Sequence, residues 1–138
     1  MASSRILKDV ATIYKPLGED EQGKMQWKKV VFDKVYFEAS RAVADSDRGS
    51  RPSDSTTLYI FSKRSTASAD GSVCAAGDMC EQLFSVVNNR SDSELDMTYL
   101  ALFASESDSP PKNSLLVKSA KRFEAGSGRM WHWEVEAK

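Results

Sequence analysis

The chain has 138 residues, of which 41% are hydrophobic and 28% charged, and its formal net charge is −1. This length favours one domain with a modest core. No apolar run is long enough to span a bilayer, and the first residues lack the apolar segment of a signal peptide, so we expect a protein that is made and used in the cytoplasm, or is assembled there. The near-zero charge gives no overall basic field for holding nucleic acid.

The first part of the chain predicts two β-strands. Val10 to Tyr14 is a short β-prone run that ends at Pro16, because proline lacks the donor that a central strand requires. Met25 to Glu38 is the longest strand candidate. Its apolar residues change parity near Val30-Val31-Phe32, which predicts a β-bulge or a bend at that point.

Two stretches without apolar periodicity, residues 39–55 and 63–77, are predicted as long loops on either side of a strand from Thr56 to Ser62. Long loops in so small a domain usually carry function, most simply by becoming ordered against a partner. The candidate contact residues of the first loop are Arg41, Arg48, Arg51 and Asp54.

Residues 78–105 leave two interpretations open. Leu83 to Val87 fits either a strand or one buried helical turn. A spacing of i, i+4, i+7, i+8 favours a short amphipathic helix with Ser93 as its N-cap, and a strand from Met97 to Ala104 is the competing interpretation. The residues with that helical spacing are Leu95, Tyr99, Leu102 and Phe103.

The C-terminal segment predicts a β-hairpin around the turn Glu124 to Gly128, whose glycines tolerate positive φ. Beyond the turn, apolar and polar residues alternate with a period of two, so one face of the strand is apolar. The apolar set is Trp131, Trp133 and Val135, and the polar set is His132, Glu134 and Glu136.

These elements predict a mainly β fold with five or six strands and at most one short helix, either a small antiparallel barrel or a two-sheet structure. Large aromatic side chains bury much apolar area and are the expected anchors of its core. The predicted core anchors are Trp27, Phe32, Tyr59, Trp131 and Trp133.

Chemistry-bearing motifs do not emerge from the sequence. His132, the single histidine, has no recognisable triad around it. Cys74 and Cys80 are expected to be free thiols and do not complete a zinc ligand set. Asp45-Ser-Asp47 lacks the distal glutamate of a calcium loop. We therefore expect no enzymatic activity, no cofactor and no metal. Aromatic residues with lysines nearby also leave open a single-stranded nucleic-acid-binding module.

Several blocks of the sequence resemble small virion-morphogenesis proteins of tailed bacteriophages. Ile13-Tyr14 followed by Met25 to Phe37 is similar to the opening strands of that family, and Asp54 to Ile60 to its next loop and strand. Gly77-Asp78 stands where those proteins have a Gly-Asp turn. The closing block Ser119 to Val135, with His132-Trp133 after a Gly-Ser turn, is the most distinctive.

The resemblance implies a protein of the virion neck, of the head-closure (stopper) type, with an SH3-like β-barrel and long inserted loops. It implies a ring of six or twelve copies that joins the portal or adaptor proteins to the tail terminator or tail tube, assembled in the host bacterial cytoplasm. Packaged double-stranded DNA would pass through the lumen, and the arginines of the first loop would meet either its phosphate backbone or an acidic neighbouring protein. A tail terminator and a minor capsid protein remain the alternatives.

Overall fold

A computed structural model describes residues 7–42, 53–84, 97–124 and 126–138. Within these residues there are eight β-strands, one α-helix and one 3-10 turn. In chain order they are β1 (Asp9–Glu19), β2 (Met25–Ala42), β3 (Ser53–Phe61), β4 (Thr66–Ala69), β5 (Ser72–Ala75), α1 (Ala76–Phe84), β6 (Tyr99–Ala101), β7 (Leu115–Phe123), the 3-10 turn Gly128–Met130, and β8 (His132–Ala137). The predicted mainly β, antiparallel fold with one short helix is confirmed.

Six of the strands close on themselves. Their order is β1-β6-β7-β8-β3-β2, and β2 also pairs with β1, so every one of these strands has a neighbour on both sides along part of its length. The β4–β5 hairpin extends from β2 and brings the described strands to eight, above the five or six expected. All the pairings are antiparallel.

β2 belongs to both halves of this closed sheet because it bends at Lys34. Up to Val35 it pairs with β1, and from Tyr36 it pairs with β3. Lys34 is the extra residue at the register shift and has a φ of 60°. The hydroxyl of Ser65 donates to the Lys34 carbonyl oxygen at 2.6 Å and stabilises the bulge. The predicted bulge therefore exists, but it lies after Val30–Phe32, since Phe32 and then Val35 are the buried residues on its two sides.

The core lies on the inner face of the closed sheet, and α1 adds five buried side chains to it, Ala76, Met79, Cys80, Leu83 and Phe84. Trp133 is 1% exposed, and its ring centroid lies 5.6 Å from that of Phe84. Phe32 is also fully buried. Two of the five predicted anchors thus lie in the core.

The other three predicted anchors are only half-buried. Tyr59 lies between the buried residues Leu58 and Ile60 on β3, so the strand alternation turns it outward. Trp131 precedes β8, and the Lys63 ammonium lies 4.9 Å from its ring centroid. Trp27 lines a surface cleft.

The prediction of a loop over residues 63–77 is wrong. This stretch contains β4, β5 and the start of α1. Asp70 and Gly71 have φ of 52° and 81°, the geometry of a two-residue hairpin turn, and Asp-Gly is a strong signal for such a turn. Cys74, on β5, and Cys80, in α1, are free thiols.

The prediction of a loop over residues 39–55 is wrong at both ends. Ala39 to Ala42 continue β2 and pair with Ser53 to Thr56 of β3. Serine and threonine fit a paired strand well enough that the sheet continues without apolar alternation. The middle of the predicted loop, residues 43–52, lies outside the described residues.

The helix predicted from Ser93 to Phe103 is wrong over its described part, because Tyr99–Ala101 form β6 between β1 and β7. The competing strand interpretation is correct there. Residues 85–96, including Leu95, lie outside the described residues. The C-terminal hairpin is confirmed, with Phe123 opposite His132 and Ala120 opposite Val135.

Candidate functional site

The outer face of β2, β3, β8 and β7 carries a line of aromatic side chains. The register places Tyr36 opposite Tyr59 on β2 and β3, and His132 opposite Phe123 on β8 and β7. Tyr59 and His132 are diagonal neighbours across β3 and β8, because Tyr59 pairs with Glu134. We call these four side chains the outer aromatic row. It crosses all four strands of this half of the sheet.

The side-chain rings of the row contact one another in sequence. Tyr36 and Tyr59 are stacked, with centroids 5.6 Å apart and planes 26° apart. His132 and Phe123 are stacked at 5.2 Å and 13°. The Tyr59 and His132 centroids, 6.1 Å apart, join the two pairs. Phe123 is 39% exposed. A rigid sheet thus presents a continuous aromatic strip at the surface.

His132 is held at both ring nitrogens. Its Nδ1 lies 3.0 Å from the Met130 carbonyl oxygen, and its Nε2 lies 3.0 Å from a carboxylate oxygen of Glu134. Both partners are hydrogen-bond acceptors, so each contact forms when the ring nitrogen that faces it carries a proton. The two contacts together fix the orientation of the imidazole ring within the row.

Carboxylates surround the tyrosine end of the row. Glu38 and Glu136 lie opposite Thr57 from the two neighbouring strands, and Glu134 lies opposite Tyr59. The Tyr36 hydroxyl donates to Glu38 at 3.2 Å, and this hydrogen bond, followed by the Glu38 charge, raises the pKa of Tyr36. Burial, then Glu134 and Glu38, raise the pKa of Tyr59. The charged groups that raise both phenol pKa values are therefore carboxylates.

The residues of the predicted contact loop are only partly described. Arg41 lies on β2 directly opposite Asp54 on β3, so these two positions are paired strand residues instead of loop residues. Arg48 and Arg51 lie outside the described residues, and their predicted role stays a prediction.

Most of the outer aromatic row was missed from the sequence. The alternation in the C-terminal strand correctly assigned His132 and Glu134 to the polar face. Tyr59 was assigned to the core, although Leu58 and Ile60 have the opposite parity and are the more apolar pair. The association of Tyr36 with Tyr59 depends on the β2–β3 register, which no local signal reveals.

A second feature of the surface lies at the other end of β2. It is a cleft of about 840 Å³ lined by Trp27 together with Lys24, Lys28 and Lys29, and also by Asp70 and Asp108. In the described part of the chain, no group of three histidine, cysteine, aspartate or glutamate side chains could hold a metal ion. Nor does any described helix have the length and apolarity needed to cross a membrane.

Comparison with protein-family models, with characterised proteins and with solved structures finds no match. Function therefore has to be inferred from the surfaces of this chain.

Proposed function

We propose that this chain is a structural virion protein of a tailed-bacteriophage neck, of the head-closure type. It would act by docking to copies of itself and to the proteins on either side, the portal or adaptor on one side and the tail terminator or tail tube on the other. In this role it helps to retain packaged double-stranded DNA and performs no catalysis.

The observation that carries the proposal is the outer aromatic row. Tyrosine and other aromatic side chains on a rigid scaffold are the residues that most often dominate protein–protein contacts, because they bury much area at little cost in side-chain entropy. Here the stacked pairs Tyr36–Tyr59 and His132–Phe123 are oriented before any partner arrives. Such a strip supports a docking function better than a catalytic one.

The paired ends of β2 and β3 give the proposal a second support. β3 pairs with β8 only from Thr56 onward, whereas its pairing with β2 continues to Ser53 opposite Ala42. The two strands therefore extend as a ribbon beyond the last β8 partner. Arg48 and Arg51 belong to the segment between these two strands in the chain, and their role in assembly stays a prediction.

The test is an amber mutation in this gene within the phage genome that carries it, with electron microscopy of the particles made without suppression. We expect full or leaking heads without attached tails, restored to virions by the wild-type chain supplied in trans. Complementation with the double variant Tyr36→Ala/Tyr59→Ala should fail, whereas Val73→Ser, which alters an exposed residue on β5, should restore virions. Normal tailed virions from the amber mutant would exclude the neck function.

The same particles distinguish the related virion roles. A sixfold ring of this protein bound only to isolated tail tubes would favour a tail terminator, and its presence throughout the shell would favour a minor capsid protein.

A nucleic-acid-binding module is the second candidate, favoured by the cleft in which Trp27 lies among Lys24, Lys28 and Lys29. Aromatic stacking beside cationic side chains is how single strands are bound without sequence preference. Fluorescence anisotropy with single-stranded oligonucleotides at low salt tests it. Binding that Trp27→Ala abolishes would support this function, and no binding at tens of micromolar protein, on the order of the weakest non-specific affinities, would exclude it.

A further inference from the structure

We propose that the tyrosine end of the outer aromatic row, Tyr36 and Tyr59, binds an arginine side chain of the neighbouring protein. The guanidinium would lie on the tyrosine rings and pair with the carboxylates of Glu38 and Glu134. The inference rests on the proposed function for the existence of that neighbour, and it specifies the chemistry by which the neighbour is recognised.

Contacts with the row orient the two carboxylates. One oxygen of Glu38 accepts from the Tyr36 hydroxyl at 3.2 Å, and one oxygen of Glu134 lies 3.0 Å from His132 Nε2. Each carboxylate is thus tied to the row through one oxygen, and we assign its second oxygen to the incoming cation. A guanidinium has donors on several sides and suits two acceptors placed on either side of a ring.

The surface next to the two tyrosines carries acidic residues. Glu38, Glu134 and Glu136 lie on the two strands that flank Thr57 and Tyr59. The basic residues Lys121 and Arg64 lie farther along the same outer face, Lys121 opposite Glu134 on β7 and Arg64 over the ring of Phe61. The strand positions next to the tyrosines are therefore acidic, and charge complementarity favours a cationic partner over a nucleic acid.

Two other aromatic rings of this domain already have a cationic side chain over them. The Arg64 guanidinium carbon lies 5.7 Å from the ring centroid of Phe61, which lies beside His132 on the same outer face. The Lys63 ammonium lies 4.9 Å from the ring centroid of Trp131. Tyrosine faces bind cations in the same way, and nearby carboxylates strengthen the attraction.

The experiment titrates the purified chain with N-acetyl-arginine amide and follows the aromatic carbon–proton resonances by NMR. We expect saturable shifts of Tyr36 and Tyr59, with Trp133 in the core unaffected. The isosteric double variant Glu38→Gln/Glu134→Gln keeps an acceptor for each existing hydrogen bond but removes the charge, and should weaken binding by about tenfold. Glu19→Gln/Glu21→Gln, which also removes two charges, at exposed positions beside the β1–β2 turn, should leave it unchanged.

The inference would be overturned by the absence of any shift up to about 100 mM ligand, or by equal shifts with the uncharged N-acetyl-glutamine amide. It would also be overturned if a single-stranded oligonucleotide, and not the arginine ligand, shifted these two tyrosine resonances. The result is separable from that of the amber mutant. A silent titration with tailless heads removes the arginine site alone, whereas a saturable titration with normal virions removes the neck function alone.

Discussion

The two faces of β8 divide the work of the domain between them. Trp133, Val135 and Ala137 point inward and are no more than 1% exposed, whereas His132, Glu134 and Glu136 point outward. Neighbouring residues of one six-residue strand therefore differ in their surroundings: the inner set packs in the core, and the outer set forms part of the surface that we propose for docking. Substitutions on the two faces should separate stability from assembly.

The largest effect is expected inside. Trp133→Ala should lower the free energy of unfolding by about 3–5 kcal/mol, because it removes a buried aromatic side chain and leaves a cavity beside Phe84. Urea denaturation followed by circular dichroism measures the loss. If the variant does not fold, Trp133→Phe provides a milder version of the same change.

The matched outer variant is Tyr59→Ala, which removes an aromatic ring from the opposite face of the neighbouring strand. It should cost only about 1 kcal/mol, the size of a cross-strand aromatic pair, while abolishing complementation in the phage assay. Equal losses for the two variants would contradict the division between inner and outer faces.

A smaller inner effect is expected at Tyr14, which is fully buried. Its hydroxyl lies 2.5 Å from Ser105 Oγ and donates to the Ser107 carbonyl oxygen at 2.8 Å, which fixes the chain after β6 against β1. Tyr14→Phe removes both hydrogen bonds of the hydroxyl and, at about 0.5–1.5 kcal/mol for each, should cost about 1–3 kcal/mol. In a double-mutant cycle with Ser105→Ala, measured by urea denaturation, the two losses should be less than additive, and strict additivity would exclude the network.

The smallest effect is expected at the fully exposed Asp20. The backbone N–H of Lys24, then that of Gln22, donates to its carboxylate and lowers the pKa of Asp20 below the ordinary value of 3.8. A lowered folded-state pKa stabilises the fold above that ordinary value, and the contribution is lost as the pH falls through the folded pKa. The urea midpoints of wild type and Asp20→Asn should therefore differ slightly at pH 6 and coincide at strongly acidic pH. A difference that persists in acid would assign the effect to shape instead of charge.

The parts of the fold that sequence revealed are those with a strong local signal. Alternation around Trp133 predicted the last strand and its hairpin, and the parity change in β2 predicted a bulge. Residues 63–77 were misread because small polar residues mask a strand, although Asp70-Gly71 marked its turn. Tyr99 shows the opposite problem: it belonged to a helical spacing, yet it lies in β6, a strand that pairs with β1 and β7.

The candidate site was harder to predict because it is created by register. Tyr36 and Tyr59 are 23 positions apart in the sequence, and only the pairing of β2 with β3 brings their rings together. Nothing local distinguishes such a pair from two unrelated half-buried tyrosines.

The position of β8 between β3 and β7 has a consequence for biosynthesis. While a nascent chain is still missing residues 132–137, β3 lacks its partner along Thr56 to Phe61, and β7 lacks its partner along Val117 to Phe123. Open strand edges are templates for aggregation. The growing polypeptide thus remains prone to aggregation on the ribosome until β8 has been translated. Insertion of this short strand then pairs the open edges of β3 and β7 at the same time.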